Sequence, residues 1–126
     1  MSVDIRLVSL RDFIRTDVAG TFDLEGSKAV LTEIVKSSDE CGVPNVLIDV
    51  RMIRPEKVEP ADIYTLVMHL LSLGIDPGHR FAILNDPQLE LDGGKLFEQC
   101  ARERGIDAAA FRDYEATLAW LCRVPS

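Results

Sequence analysis

The stretch that most constrains the fold is Asn45–Val50. Val46, Leu47, Ile48 and Val50 make it almost continuously apolar, and Asp49 is the single interruption near its end. A strand with one wet face alternates apolar and polar residues, whereas a run like this is expected where helices cover a sheet on both faces. It predicts a buried central strand in a layered α/β structure. A polar loop follows, Arg51–Glu59, and then a very apolar helix, Pro60–Leu73, stopped by Gly74. Open α/β sheets place their sites beyond the carboxyl ends of the strands, so this loop is the first place to look for function.

The rest of the chain builds around that strand. Ile5, Leu7 and Ser9 alternate with Arg6 and Val8. A turn near Arg11–Asp12 leads to Phe13–Ala19, where Ile14, Thr16 and Val18 repeat at period two, and Gly20 is expected to end the pair. The pattern predicts an antiparallel hairpin. Asp23 is a candidate N-cap for a helix whose apolar side is Ala29–Leu31 with Ile34 and Val35. Its wet side is Glu25, Lys28, Glu33 and Lys36; Gly42 and Pro44 end it. Arg80–Leu84 reads as a further strand, Lys95–Arg104 as a helix ended by Gly105, and Ala108–Arg112 as the last strand. Asp113 then caps a closing helix anchored by Leu118, Trp120 and Leu121. The order β-β-α-β-α-β-α-β-α predicts an α/β fold with a mixed, mostly parallel sheet of four or five strands, an N-terminal antiparallel hairpin and about four helices. Periodicity leaves the strand order open. At 126 residues the chain is expected to form one domain spanning 1–126.

The helix Pro60–Leu73 carries more apolar surface than one sheet face needs. Ile63, Leu66, Val67 and Leu70 form a core-facing stripe, and about 100° of helix surface is enough for that contact. Tyr64, Met68 and Leu71 form a second stripe, whose cover is a neighbouring helix, a partner subunit or an apolar ligand. In the preceding loop, Arg51 and Arg54 flank Met52 and Ile53, a pairing of residue types enriched at interfaces. The competing reading folds Met52 or Ile53 back over the sheet edge. Asp49 either caps the local backbone or faces a site. The candidate binding residues are therefore Asp49, Arg51, Met52, Ile53, Arg54, Tyr64, Met68 and Leu71.

Composition and motif spacing exclude several classes. A net charge of −7 disfavours a nucleic-acid backbone as partner, since that binding depends on clustered Lys and Arg. Asp4, Arg6, Arg11 and Asp12 interrupt any N-terminal apolar region, and no apolar run approaches the roughly 18 residues of a membrane span. Cys41, Cys100 and Cys122 form no CxxC pair and read as free thiols of a reducing cytoplasm; Cys100 and Cys122 occupy apolar helix positions. His69 lies mid-helix without a nearby acid, and His79 reads as a solvated loop residue, so the two make no metal site. Asp92–Gly93–Gly94–Lys95 opens a helix and offers donors to an anion, but ordinary capping by Asp92 accounts for it. No triad, paired-carboxylate motif or metal spacing is present, and no cofactor is called for.

Several segments together resemble the SpoIIAA-like proteins of the STAS superfamily, which holds anti-sigma-factor antagonists and the cytoplasmic domains of sulfate transporters. These are Gly20–Thr21–Phe22–Asp23, the strand Val46–Val50 with its long following loop, the helix Asp62–Leu73, and the ending from Phe111 through Asp113, Tyr114 and Trp120 to Leu121. The resemblance spans essentially the whole chain. It implies helices packed mainly on one side of the sheet and a regulatory or ligand-sensing role without catalysis. The anti-sigma antagonists carry a phosphorylatable serine just after the central strand. Here Arg51–Pro60 contains no Ser or Thr, so a phosphate bringing about −1.5 to −2 charge has no hydroxyl to receive it. The group is also similar to the lipid-carrying CRAL-TRIO domains, which keeps an apolar ligand in view.

The reading that follows is a cytoplasmic, non-enzymatic interaction module whose partner is another protein or a second copy of itself. The alternative is a carrier or sensor of a small apolar or lipid-like ligand between the 60–73 helix and the sheet. An enzyme is the third and weakest reading.

Overall fold

The computed structural model describes residues 4–9, 12–21, 23–54, 59–87 and 93–122. The elements are β1 (Asp4–Ser9), β2 (Ile14–Thr21), α1 (Leu24–Cys41), β3 (Asn45–Arg54), α2 (Pro60–Ser72), β4 (Arg80–Leu84), α3 (Gly93–Glu103), β5 (Asp107–Phe111) and α4 (Tyr114–Leu121). The strands form one sheet in the order β1-β2-β3-β4-β5. Strands β2 to β5 run parallel. β1 lies along β2 in the opposite sense, with Asp4 opposite Ala19 and Ser9 opposite Ile14. Of the turn expected near Arg11–Asp12, residue 11 lies outside the described residues, as does residue 10, and the chain bends at Asp12.

Each parallel strand is added beside the last, always in the same direction. Right-handed crossovers therefore put α1, α2 and α3 on one face. Their buried side chains, including Ile34, Val67, Leu70, Phe97 and Ala101, pack with Val46, Ile48, Phe81 and Ile83 of the sheet. The chain then turns after β5, and α4 closes the opposite face, where Leu121 packs with Phe13, Leu47 and Ala82. This two-sided cover explains the apolar run of β3: Val46 and Ile48 serve one core and Leu47 the other.

Local chemistry sets the ends. Asp23 Oδ2 accepts from Gly26 N–H at 3.1 Å at the start of α1. Gly42 ends α1 at φ 66°, a left-handed conformation that suits glycine. Asp113 Oδ2 accepts from Ala116 N–H at 3.2 Å and caps α4. The other end of α4 is held by Arg80, a β4 residue that sequence patterning does not single out. Its guanidinium donates to the carbonyls of Trp120 (3.0 Å) and Leu121 (3.2 Å) and stacks 4.0 Å from the Trp120 ring. A cation there also complements the helix dipole.

Several expectations change. Gly20 does not end β2, which continues through Thr21. β3 does not stop at Val50, so the first four residues of the expected loop are strand. His79 is not solvated: it is 5% exposed, accepts from Asp76 N–H through Nδ1 at 3.1 Å and sits 3.3 Å from Asp39 Oδ1 through Nε2. Cys122 is exposed, while Cys100 packs against the core. Trp120 is half-buried and packs on Phe111 and Arg80. No helix among the described residues is long and apolar enough to cross a membrane.

Candidate functional site

The register between β2 and β3 organises the end of the central strand. Ile14 to Asp17 oppose Val46 to Asp49 one for one, but Ala19 opposes Met52. β3 thus carries one extra residue between Asp49 and Met52, a bulge. β4 pairs only with Asn45–Asp49. Beyond the bulge, β2 and β3 continue as a two-stranded ribbon in which Ala19, Gly20 and Thr21 face Met52, Ile53 and Arg54.

A bulge leaves backbone groups outside the ladder, and Asp49 satisfies one of them. Its Oδ1 accepts from Arg51 N–H at 3.1 Å. The same carboxylate accepts from the Arg51 side chain, Nε to Oδ1 at 3.0 Å and Nη2 to Oδ2 at 2.7 Å. Arg15 of β2 adds a third donor to Oδ2 at 3.3 Å and bridges Asp17 at 2.9 Å. Both guanidiniums lie over the ring of Tyr114, at 5.4 Å for Arg15 and 6.0 Å for Arg51. Arg15 also donates to the Tyr114 hydroxyl at 3.4 Å. Asp49 is 6% exposed. Burial pushes its carboxyl up, but the Arg51 hydrogen bonds, with the charges of Arg51 and Arg15, outweigh burial and hold it below the usual carboxylate range. Both of its oxygens are occupied by these donors. The arrangement fixes Arg51 in place.

The bulge also decides which way each ribbon residue faces. Paired residues of parallel strands share a face, so Ile53 falls with Gly20 on the side of α1–α3 and packs against that core. Met52 and Arg54 fall with Ala19 and Thr21 on the α4 side, beyond the end of α4. Met52 is 72% exposed there. On α2, Tyr64 and Met68 are 45% and 41% exposed on the outer side of the helix layer, and the Arg104 guanidinium lies 4.6 Å from the Tyr64 ring. Leu71 is half-buried and packs against the core. The candidate binding residues are therefore divided by the sheet. Asp49, Arg51, Met52 and Arg54 share one side, Tyr64 and Met68 the other, and Ile53 and Leu71 turn toward the core. His69 finds a partner that helical spacing does not reveal: its Nε2 donates to Thr32 Oγ1 of α1 at 3.0 Å, since that hydroxyl already donates to the Lys28 carbonyl.

Sequence reasoning missed Arg15, Asp17 and Tyr114. The available signal was the polar alternation of Arg15 and Asp17 along β2; that their face lies beside Asp49 depends on strand order. The anion candidate at the start of α3 is also redirected. Lys95 Nζ pairs with Glu98 at 2.8 Å, and Asp92 lies outside the described residues. An open cleft of about 230 Å³ lies nearby, lined by Asn85, Lys95, Ala110, Phe111 and Arg112 at the ends of β4 and β5. Among the described residues, no group of three or more His, Cys, Asp or Glu side chains is placed to hold a metal ion.

No protein-family model matches the chain, and comparison with curated proteins gives no match. Solved structures do match over nearly its whole length. An uncharacterized protein with a SpoIIAA-like fold from Shewanella loihica is 18% identical with a TM-score of 0.57, over 96% of this chain and 94% of that one. An anti-sigma factor antagonist from Mycobacterium paratuberculosis gives 9% identity and a TM-score of 0.62, over 95% and 94%. The anti-sigma factor antagonist SpoIIAA in its unphosphorylated form gives 15% and 0.55, over 97% and 100%. At these identities the likeness establishes the fold.

Proposed function

We propose that this chain, which has the SpoIIAA-like fold, is a non-enzymatic regulatory module that binds a protein partner through the β2–β3 ribbon. The observation that carries the reading is Met52. A large apolar side chain stands 72% exposed at the end of the central strand, beside an arginine already held in position. Methionine and arginine are enriched at interfaces, and a pre-ordered side chain loses less entropy on binding. Arg54 lies exposed on the same side. Two structural neighbours are described as anti-sigma factor antagonists, which supports a protein partner. The lack of any hydroxyl in Arg51–Pro60 supports recognition without a phosphoserine switch at this place. The underside of α2 favours this reading over a carrier, because Ile63, Leu66, Val67 and Leu70 are packed into the core.

Native mass spectrometry of the freshly purified chain tests it, comparing wild type with Met52→Asp. The expected result is a second polypeptide, either another copy or a co-purifying protein, that is retained by wild type and lost in the variant. A retained small apolar molecule that survives the substitution and leaves only on denaturation would overturn it in favour of a carrier.

A further inference from the structure

The sheet has two edges, and the β5 edge is closed in an unusual way. The Phe111 carbonyl accepts from Asn85 N–H at 2.8 Å, so Phe111 directs its backbone groups toward β4. In a strand these directions alternate, so Ala108 and Ala110 direct theirs outward. Outward backbone groups of an edge strand are a template for another strand. Beyond Asp107 at its start, β5 itself carries nothing that would repel one. Its sequence is Asp107–Ala108–Ala109–Ala110–Phe111, with no proline, no lysine and three small side chains.

Two side chains of α3 occupy those outward groups instead. Glu98 Oε1 accepts from Ala110 N–H at 3.2 Å. Arg102 Nε donates to the Ala108 carbonyl at 2.8 Å. They are one turn apart on the helix and 3.5 Å from each other, and Lys95 holds the other Glu98 oxygen at 2.8 Å. Glu98 is 6% exposed. A carboxylate at such a position needs a reason, because burial disfavours its charge. The mock strand that it forms with Arg102 supplies one.

We infer that the outer edge of β5 is a latent self-association surface, held closed by Glu98 and Arg102, and that its occupant when opened is β5 of a second copy. Antiparallel pairing of two β5 edges is two-fold symmetric, so each copy offers the other the same Ala108 and Ala110 groups. The small alanine side chains leave room for the approach.

Sedimentation velocity over a concentration series tests the inference, with far-UV circular dichroism as the check on folding. Glu98→Ala is expected to show a concentration-dependent doubling of mass beyond that of wild type. Glu98→Gln keeps an acceptor for Ala110 N–H and is expected to sediment as wild type does. Adding Ala110→Pro to Glu98→Ala removes the outward donor, which an edge strand tolerates, and is expected to reverse the doubling. A folded Glu98→Ala protein that keeps the wild-type mass at every concentration overturns the proposal. So does doubling that survives Ala110→Pro, since association would then come from another surface. If Glu98→Ala does not fold, Glu98→Leu takes its place, because it removes the acceptor from Ala110 N–H while keeping side-chain bulk at the same buried position; the same two outcomes then decide.

Discussion

The two faces of the sheet are closed by different chemistry. Under α1, α2 and α3 the contact is apolar, and Val46, Ile48, Phe81 and Ile83 meet Ile34, Val67, Leu70 and Phe97. Opposite, Leu121 of the short α4 packs on Phe13, Leu47 and Ala82, and the surface beyond it passes to Arg15, Asp17, Asp49, Arg51 and Tyr114. Apolar contact is non-directional and tolerates any well-packed partner. The charged network is directional: it fixes a bulge, and the bulge fixes which residues are presented. One face thus holds the fold, and the other shapes the surface proposed for recognition.

Truncations give the sharpest contrast. Leu70→Ala removes a fully buried side chain from the three-helix face and is expected to cost about 2–5 kcal/mol by denaturant unfolding. Asp49→Ala opens no comparable void. It strands two guanidiniums that are both partly exposed, so water recovers much of the loss, and about 1–3 kcal/mol is expected. If Asp49→Ala costs more than Leu70→Ala, the network and not the apolar face is the principal support, and the contrast fails.

Acid probes the charged groups apart from the apolar packing. Asp49 and Glu98 both titrate below their usual range. For each, burial pushes upward, and hydrogen bonds with neighbouring cations outweigh it. A lowered folded-state value means that the unfolded chain takes up protons first. The stabilisation is therefore full above the unfolded carboxylate range of about 4 and is lost as pH falls through the lower folded values. Thermal melts from pH 6 to pH 3 should show wild type losing stability. Asp49→Asn should lose less over that interval, while Leu70→Ala should fall in parallel with wild type. An Asp49→Asn profile parallel to wild type would remove Asp49 from the acid response.

The apolar face carries one misplaced atom. Thr16 pairs with Ile48 and is fully buried on that side, and its hydroxyl has no partner among the described residues. Replacing a buried, unsatisfied hydroxyl by a methyl removes a desolvation cost. Thr16→Val is expected to stabilise by about 1 kcal/mol. A destabilised Thr16→Val would mean that the hydroxyl is satisfied in solution.

How far the sequence could be read follows the same division. The α1–α3 face was legible because burial writes itself into periodicity: Ile63, Leu66, Val67 and Leu70 are all buried on α2, and Asp23 caps α1 where expected. The other face was not, because its partners are far apart in the chain. Arg15, Asp49 and Tyr114 meet only once β2 lies beside β3 and α4 folds back, and strand order leaves no local mark. The bulge was hidden for a related reason. Alternation continued past Asp49 places Met52 on the side of Val50, and the extra residue reverses it. His79 misled because Pro77–Gly78 signals a turn, and the turn here folds over the imidazole of its own last residue.

Met52 provides the finest test, because it asks for almost no change in stability. Its side chain is mostly in water, so Met52→Asp is expected to shift unfolding by no more than about 0.5 kcal/mol. Placed between Arg51 and Arg54, the new carboxylate has cations on both sides of it in sequence. The same substitution should abolish capture of the second polypeptide, since a charge at the centre of an apolar contact has to be desolvated. Ile53→Asp is the control that makes the comparison two-sided. Ile53 is the next residue along but packs on the apolar core, so it should lose stability while Met52→Asp does not. If both substitutions leave the fold intact, Ile53 is not held against the core and the bulge does not sort the two residues as described. If both unfold it, Met52 is packed in solution and the ribbon is not the exposed surface on which the proposed recognition rests.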